Sequence, residues 1–221
     1  MSQKLLNTVM RAGRFIVLEG IDGSGTTTQL NCLAERLRAD GQSVVTTGEP
    51  TAGPVGKLLR RILEGTLEVA PGSTQFDWIT LALLFAADRA HHAQTVIRPT
   101  LQQGQILICD RYDLSSRIYQ SVTAPNPEAA LPWVGAINEQ APRPDLTIVL
   151  DIDPELAEQR RLKRGGRAEL FERGPLQRKL AQSYLKAETY VPNDRLKHVQ
   201  GDLPISDVTE ILHAACTARA D

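Results

Sequence analysis

The sequence predicts an α/β fold in which helices cover both faces of a parallel sheet. Short apolar runs typical of buried strands alternate with longer stretches of helical periodicity, and a glycine-rich loop joins the first strand to the first helix. Parallel strands require long crossover connections, which the helical stretches supply. The strand-like runs lie at residues 15–18, 44–47, 106–109 and 146–150, with a weaker one at 196–199.

Length and composition indicate one globular domain with a small-molecule partner. A chain of 221 residues fits a single α/β domain and is long enough to bury a core. The formal net charge of -1 argues against a broad surface for nucleic acid or anionic membranes. The longest apolar run, at 78–87, has about half the length of a membrane span, so no transmembrane segment is predicted.

The N-terminal residues 1–13 are expected to form a short leader, because polar residues interrupt them and no apolar core typical of a signal peptide is present. Residues 14–221 then form the single domain. Cys32, Cys109 and Cys216 are far apart and odd in number, which fits neither a disulfide framework nor a zinc spacing. We therefore expect a cytoplasmic protein.

The segment GIDGSGTTT, from Gly20 to Thr28, matches a phosphate-binding loop at all but one key position. That loop consists of glycine, four residues, glycine, lysine, and serine or threonine. Thr26 stands at the lysine position, so either another cation supplies the charge or the site binds without transferring phosphate. Backbone N–H groups and the following helix N-terminus hold phosphates without that charge. A tight turn alone is the alternative. The predicted phosphate-binding residues are Gly20, Ile21, Asp22, Gly23, Ser24, Gly25, Thr26 and Thr27.

Polar residues that follow the predicted strands are expected to share one edge of the sheet, where ligands bind in such folds. Thr27 is placed to put its hydroxyl on Mg²⁺, and Asp110 resembles a carboxylate that holds the water shell of the metal. Asp22 would contact the metal or a phosphate acceptor, or serve only to form a turn. Arg111 would clamp a phosphate, or form a buried salt bridge with Asp110.

A basic run, RRLKRGGR at residues 160–167, ends a helix that Asp153 and Pro154 are suited to begin. A run of charges is usually a solvated helix face. The glycine break at Gly165 and Gly166 favours a mobile lid, at about 160–172, that closes over phosphates and excludes water.

One further segment and two pairs of residues are interpreted from local pattern alone. The proline-rich stretch at 124–132 is expected to be a surface connection. His91 and His92 are expected to be exposed to solvent. Phe85 and Tyr119 are explained by core packing unless another observation assigns them a role.

Taken together, FIVLEGIDGSG, GEPT, LLFAADRA, DRYDLSSRIYQ and DIDPELAEQR resemble the thymidylate kinase family, here its bacterial members, from about Phe15 to Tyr184. The resemblance implies a doubly wound P-loop kinase with a five-stranded parallel sheet, usually a homodimer. It implies that residues 14–221 transfer the γ-phosphate of ATP to dTMP, with Mg²⁺, in dTTP synthesis.

The resemblance also assigns site residues. Phe85 would stack on the thymine ring, Arg89 would read the base, and Tyr119 would favour deoxyribose. The implied acceptor-binding residues are Glu49, Phe85, Arg89, Arg111, Ser115, Ser116 and Tyr119. The implied catalytic residues are Asp22, Arg111, Arg164 and Arg167, the last two from the lid.

Several positions depart from the family pattern. Besides Thr26, Gly48 replaces a common arginine, Thr51 and Ala52 replace two glycines, and Ser116 stands where asparagine is common. The leading hypothesis is a dTMP kinase in which a lid arginine assumes the role of the lysine. The alternatives are a nucleotide-binding protein with weak or no turnover, and a kinase for another nucleoside monophosphate.

Overall fold

A five-stranded, all-parallel sheet forms the centre of the molecule. The computed structural model describes residues 13–67, 76–165, 169–172 and 174–218. The strand order is β2-β3-β1-β4-β5, which confirms the predicted fold class. The strands are β1 Arg14–Glu19, β2 Val44–Gly48, β3 Ile106–Asp110, β4 Leu146–Asp151 and β5 Leu196–Gln200.

Helices connect the strands and cover both faces. A π-helical stretch, Ala93–Ile97, continues the third helix into the fourth. The α-helices are α1 Thr26–Ala39, α2 Pro54–Leu63, α3 Trp78–His92, α4 Arg98–Gln102, α5 Asp113–Thr123, α6 Pro127–Ile137, α7 Pro154–Arg164, α8 Gly174–Tyr184, α9 Ala187–Tyr190 and α10 Ile205–Thr217. Within the described ranges, no helix combines the length and the apolar character that crossing a membrane requires.

Strand β1 is buried on both faces because its neighbours and the helices leave none of its apolar side chains in water. Ile16 and Leu18 point into a cluster that includes Leu33 of α1. Phe15 and Val17 point the other way, into a second cluster. This continuous apolar run is the pattern of a central strand in a parallel sheet.

The strand register brings the site-bearing ends together. Leu18 pairs with Asp110 of β3, and Glu19 pairs with Val149 of β4. The carboxyl ends of β1, β3 and β4 therefore lie side by side. The glycine loop follows β1, so it leaves the sheet between β3 and β4.

Two interpretations of local sequence were wrong. Most of the stretch 124–132 is helical, because α6 begins at Pro127. A proline at the first helical position loses no hydrogen bond, and Asn126 caps the helix through an N–H of Ala129 at 3.2 Å. His92 is buried rather than exposed, whereas His91 is exposed as expected. Residues 1–12 of the expected leader lie outside the described residues.

Candidate active site

The glycine loop adopts a backbone path that requires glycine at several positions. Gly20, Gly23 and Gly25 all have positive φ angles. A Cβ atom at Gly23 would lie 2.4 Å from the carbonyl oxygen of Ala157, so α7 packs directly on the loop backbone. Gly25 is the N-cap residue of α1, and Thr26 is its first residue. The loop therefore wraps the positive end of α1, as an anion site requires.

Thr27 and Asp110 form an oxygen-rich corner at the base of this loop. Their Oγ1 and Oδ2 atoms are 2.5 Å apart. The other carboxylate oxygen of Asp110 is buried and has no hydrogen-bond partner among the described residues. Hard oxygen donors of this kind suit Mg²⁺, which keeps several waters and phosphate ligands of its own. In the described part of the chain, no three His, Cys, Asp or Glu side chains group as a protein-only metal site.

Arg111 lies beside Asp22 at the centre of the site. Its Nη2 atom is 2.7 Å from the Oδ1 atom of Asp22, so its salt-bridge partner is the loop carboxylate. The guanidinium also lies over the Tyr119 ring, 5.5 Å from its centroid. Burial raises the pKa of the Tyr119 phenol well above its ordinary value, so this hydroxyl stays protonated. It lies 3.4 Å from the Oδ2 atom of Asp22.

A single cavity of about 350 Å³ connects these groups with the base-reading candidates. Phe85 is half-buried at its wall, and the loop, β2, β3, α3, α5 and the segment after α7 all contribute. The predicted site residues that line it are Asp22, Thr27, Glu49, Phe85, Arg89, Asp110, Arg111, Ser115, Ser116, Tyr119 and Arg164.

Arg89 is held almost completely out of solvent by polar partners. Its two terminal nitrogens lie 2.6 Å from a Glu49 oxygen, 2.5 Å from the Asn138 side-chain oxygen and 3.0 Å from the Ser116 hydroxyl. Its Nε–H is buried and has no partner among the described residues. Glu49 is fixed in turn by His92, whose Nδ1 lies 3.0 Å away. His92 is buried because it follows Arg89 by three positions and shares its helix face.

Three side chains at the site were missed by sequence reasoning. Gln120 is buried and lines the cavity, and its side-chain oxygen has no partner in the described part of the chain. Gln177 donates to the Oδ2 atom of Asp22 at 3.0 Å, and the Tyr184 hydroxyl lies 3.3 Å from Arg111. The position of Gln120 beside Tyr119 was a usable signal. No sequence signal pointed to Gln177 or Tyr184, because α8 reaches the loop only through tertiary packing.

The basic run is tied to the glycine loop by Arg161 and to the turn after β5 by Arg160. Arg160 donates to the Gly201 carbonyl at 2.9 Å, and Arg161 donates to the Asp22 carbonyl at 2.7 Å. Arg164 is 66% exposed, lines the cavity and lies 3.2 Å from a Glu172 oxygen. Helix α7 ends at Arg164, as the glycine break predicts, with Gly165 at a φ of 70°. Gly166 and Arg167 lie outside the described residues.

Comparison with known proteins identifies one family. A family model described as thymidylate kinase matches residues 18–211. The chain is 44% identical over 185 residues to the "Probable thymidylate kinase" of Pyrococcus horikoshii, covering 83% of this chain and 87% of that protein. It is 41% identical over 159 residues to the "Thymidylate kinase" of Symbiobacterium thermophilum, covering 72% of this chain and 71% of that protein. Because similar relatives include archaeal proteins, the bacterial membership suggested by the sequence motifs is not supported.

Proposed function

This chain belongs to the thymidylate kinase family, and from that membership we infer that it transfers the γ-phosphate of ATP to dTMP, giving dTDP. The observation that carries the inference is the single cavity that joins the phosphate loop, the oxygen-rich corner and the Arg111–Asp22 pair to a base slot. Phosphoryl transfer asks little covalent chemistry of a protein and depends on positioning and positive charge. The cavity brings together side chains that can position the substrates and side chains that carry positive charge.

We propose that the loop, Gly20 to Thr27, holds the phosphates of ATP through its backbone N–H groups and the N-terminus of α1. Thr27 would bind Mg²⁺ directly and Asp110 would hold it through water. When bound, Mg²⁺ supplies positive charge that offsets the charge of the phosphates. The Asp110 oxygen that lacks a partner within the described part of the chain supports this assignment.

We propose that dTMP occupies the part of the cavity between α3 and α5. Phe85 would stack on thymine, and the Nε–H of Arg89, which has no partner among the described residues, would donate to a thymine carbonyl oxygen. Gln120, whose side-chain oxygen likewise has no partner in the described ranges, would add an acceptor for a base N–H. Arg111 would bind the acceptor phosphate, with Asp22 fixing the guanidinium. Glu49, Ser115 and Ser116 would act by holding these arginines, and Tyr119 would pack on the sugar.

The charge that Thr26 lacks would be supplied by the lid, residues 160–172. Loss of one contact to charge that develops in a transition state typically costs about 3 kcal/mol, or about a hundredfold or more in rate. An arginine that reaches the transferring phosphate recovers a comparable factor. Arg164 lines the same cavity as Thr27, which makes it the leading candidate among the described residues. Arg167 is retained as a candidate from the sequence.

Three broader features belong to the same proposal. Residues 14–221 would act as one kinase domain, two copies would form a homodimer, and the protein would work in the cytoplasm. Support for the dimer comes from Ile79 and Leu83, apolar residues that lie one turn apart on α3 and are 41% and 49% exposed.

The alternatives are not favoured. A nucleotide-binding protein without turnover rests on Thr26 alone, whereas every predicted acceptor-binding residue lines one cavity. A kinase for another monophosphate shares the phosphate-binding groups but needs different contacts to the base.

The proposed function is tested by ADP release from ATP in a coupled assay with dTMP, dUMP, dCMP, UMP, AMP and GMP as separate acceptors. We expect kcat/KM to be highest for dTMP. ATP binding without ADP release for any acceptor would contradict kinase activity, and a clear preference for another monophosphate would contradict the acceptor assignment.

A further inference from the structure

Glu19 is a buried carboxylate that belongs to the site but does not line its cavity. It is the last residue of β1, directly before the glycine loop, and it is 0% exposed. Substrate that fills the cavity therefore does not reach it. A charged side chain this deep is costly unless hydrogen bonds compensate, so its partners should reveal why it is there.

Both oxygens of Glu19 accept hydrogen bonds from elements that surround Arg111. The Oε1 atom accepts the backbone N–H groups of Tyr112 at 2.8 Å and Ser115 at 3.2 Å. The Oε2 atom lies 2.5 Å from the Ser115 hydroxyl and 3.1 Å from the Tyr184 hydroxyl. One carboxylate thus joins the end of β1 to the turn after β3, to α5 and to α8.

The same two hydroxyls also contact the Arg111 guanidinium. Its Nη1 atom lies 3.2 Å from the Ser115 hydroxyl oxygen and 3.3 Å from that of Tyr184. Arginine can only donate, and an ionised carboxylate can only accept. Each hydroxyl has one proton and two lone pairs, and the two hydroxyl oxygens lie 2.8 Å apart, so one of them can also donate to the other. An ionised Glu19 accepts the Ser115 proton at 2.5 Å and leaves lone pairs of both hydroxyl oxygens for Arg111. The ionised carboxylate therefore orients this hydroxyl pair toward Arg111.

The Arg111 backbone is anchored to the same strand end. Arg111 has a φ of 65°, in the left-handed region that non-glycine residues rarely adopt. Its own N–H donates to the Leu18 carbonyl at 2.8 Å, and the next N–H, of Tyr112, donates to Glu19. Such a conformation persists where the surroundings fix it, and β1 supplies contacts on both sides of the residue.

We propose that Glu19 is a positioning residue that sets the backbone and guanidinium of Arg111 for the acceptor phosphate. This inference rests on the proposed function, since it takes Arg111 as the ligand of the dTMP phosphate. Glu19 acts through Ser115, Tyr184 and the turn after β3, and it touches no substrate.

The protonation state of Glu19 gives this arrangement a pH dependence. Charged and titratable groups face it from the packed elements: Cys109 of β3, Arg111 of the following turn, Tyr119 of α5 and Tyr184 of α8. Burial raises the pKa of Glu19 to about 7, against the lowering effects of the Ser115 hydrogen bond and the Arg111 charge. Protonation of Glu19 removes one of the positions at which its carboxylate accepts hydrogen bonds. The contacts that hold Arg111 through Ser115 and Tyr184 therefore weaken as pH falls through about 7.

The substitution Glu19→Gln tests the proposal because it keeps the shape of the side chain and replaces one acceptor oxygen with a donor. We expect calorimetry at pH 8 to show dTMP binding weakened about tenfold, with binding of thymidine, which lacks the phosphate, changed by less than about twofold. KM for dTMP should rise while KM for ATP stays near its wild-type value. Asp145→Asn is the matched control, because Asp145 accepts the Phe15 N–H at the opposite end of β1. It should leave both ligands unaffected.

The pH profile supplies a readout that a purely structural role does not move. The phosphate of dTMP has a pKa of about 6, and its titration contributes equally to the profiles of the wild type and Glu19→Gln. Wild-type protein should show an additional loss of dTMP affinity as pH falls through about 7, and Glu19→Gln should lack it. If Glu19→Gln does not fold, Tyr184→Phe removes one of the two links and should weaken dTMP binding without weakening thymidine binding.

Equal weakening of dTMP and thymidine, or no change in either, would overturn the positioning role. Identical pH profiles for the wild type and Glu19→Gln would overturn it as well. These results are distinct from failure of the proposed function, in which the wild-type protein itself shows no dTMP turnover.

Discussion

Residue 26 places a neutral hydroxyl at the position where a phosphate loop usually carries a lysine. The backbone path of the loop does not depend on that lysine, because positive φ angles at Gly20, Gly23 and Gly25 and the N-terminus of α1 are retained. Binding of the phosphates and acceleration of their transfer therefore depend on different groups at this site. The first depends on backbone N–H groups, whereas the second needs a cation close to the moving phosphate.

Arg164→Ala is expected to lower kcat about a hundredfold or more while changing KM for dTMP little, because its charge would act on the transferring phosphate. The measurement is steady-state ADP release with saturating ATP. Lys179→Ala is the control, since it removes an exposed cation of the following helix that does not line the cavity. An unchanged kcat for Arg164→Ala would exclude it as the source of the missing charge.

Single residues were predictable where the chemistry lies within one motif. The placement of Asp110, Arg111 and Thr27 together was predictable because they lie at a strand end or in the loop, and strand ends meet at one edge of the sheet. The partners of Arg111 were not predicted: the salt bridge considered was with Asp110, whereas the structure pairs Arg111 with Asp22. Tyr184 comes from α8, and only the packing of that helix places its hydroxyl between Glu19 and Arg111.

At the scale of elements, α7 shows how a local signal fixes a functional segment. Asp153 caps the helix by accepting the N–H of Glu155 at 2.7 Å and that of Leu156 at 3.3 Å, as its sequence position predicts. The helix then places the Ala157 carbonyl against Gly23 and the Arg161 guanidinium on the Asp22 carbonyl. One cap therefore sets the start of the element that carries the lid.

Asp153→Ala is expected to lower the free energy of unfolding by about 1 kcal/mol, because two N–H groups of the first turn lose their acceptor. Asp153→Asn keeps an acceptor oxygen and should retain most of the stability. Urea denaturation of the two variants and the wild type provides the measurement. Equal loss in both variants would show that the charge, and not the cap, is responsible.

Element boundaries were least predictable where proline was read as a turn signal. Pro127 and Pro132 suggested a connection, yet both lie within α6. The sequence cannot by itself distinguish a proline that breaks a helix from one that begins it. In this case Asn126, which supplies the cap, was the informative neighbour.

For the whole molecule, the alternation of strands and helices predicted the layered parallel sheet, and the structure confirms it. The strand order, with β1 at the centre, was not predicted, because no local pattern encodes which strands pair. The proposed dimer surface could not be predicted from the sequence. The exposed apolar residues of α3 are identified only when the structure shows which side of the helix is buried. Trp78 of that helix packs edge to face on Trp133 of α6, with ring centroids 5.5 Å apart.

We expect the protein to sediment as a dimer, and we expect Leu83→Glu to shift it to a monomer by placing a charge on the exposed face of α3. Leu185→Glu is the control, because Leu185 is 62% exposed directly after the last residue of α8 and should not affect assembly. Analytical ultracentrifugation distinguishes the species. A wild-type monomer, or a Leu83→Glu dimer of unchanged stability, would exclude α3 as the interface.

The central claim is that a phosphate loop with threonine in place of lysine still transfers phosphate to dTMP. The most direct measurement mixes the purified wild-type protein in excess with ATP labelled on the γ-phosphate, dTMP and Mg²⁺, and follows the label over a single turnover. We expect the label to move to dTDP. Label that stays in ATP, while calorimetry shows that both nucleotides bind, would contradict it.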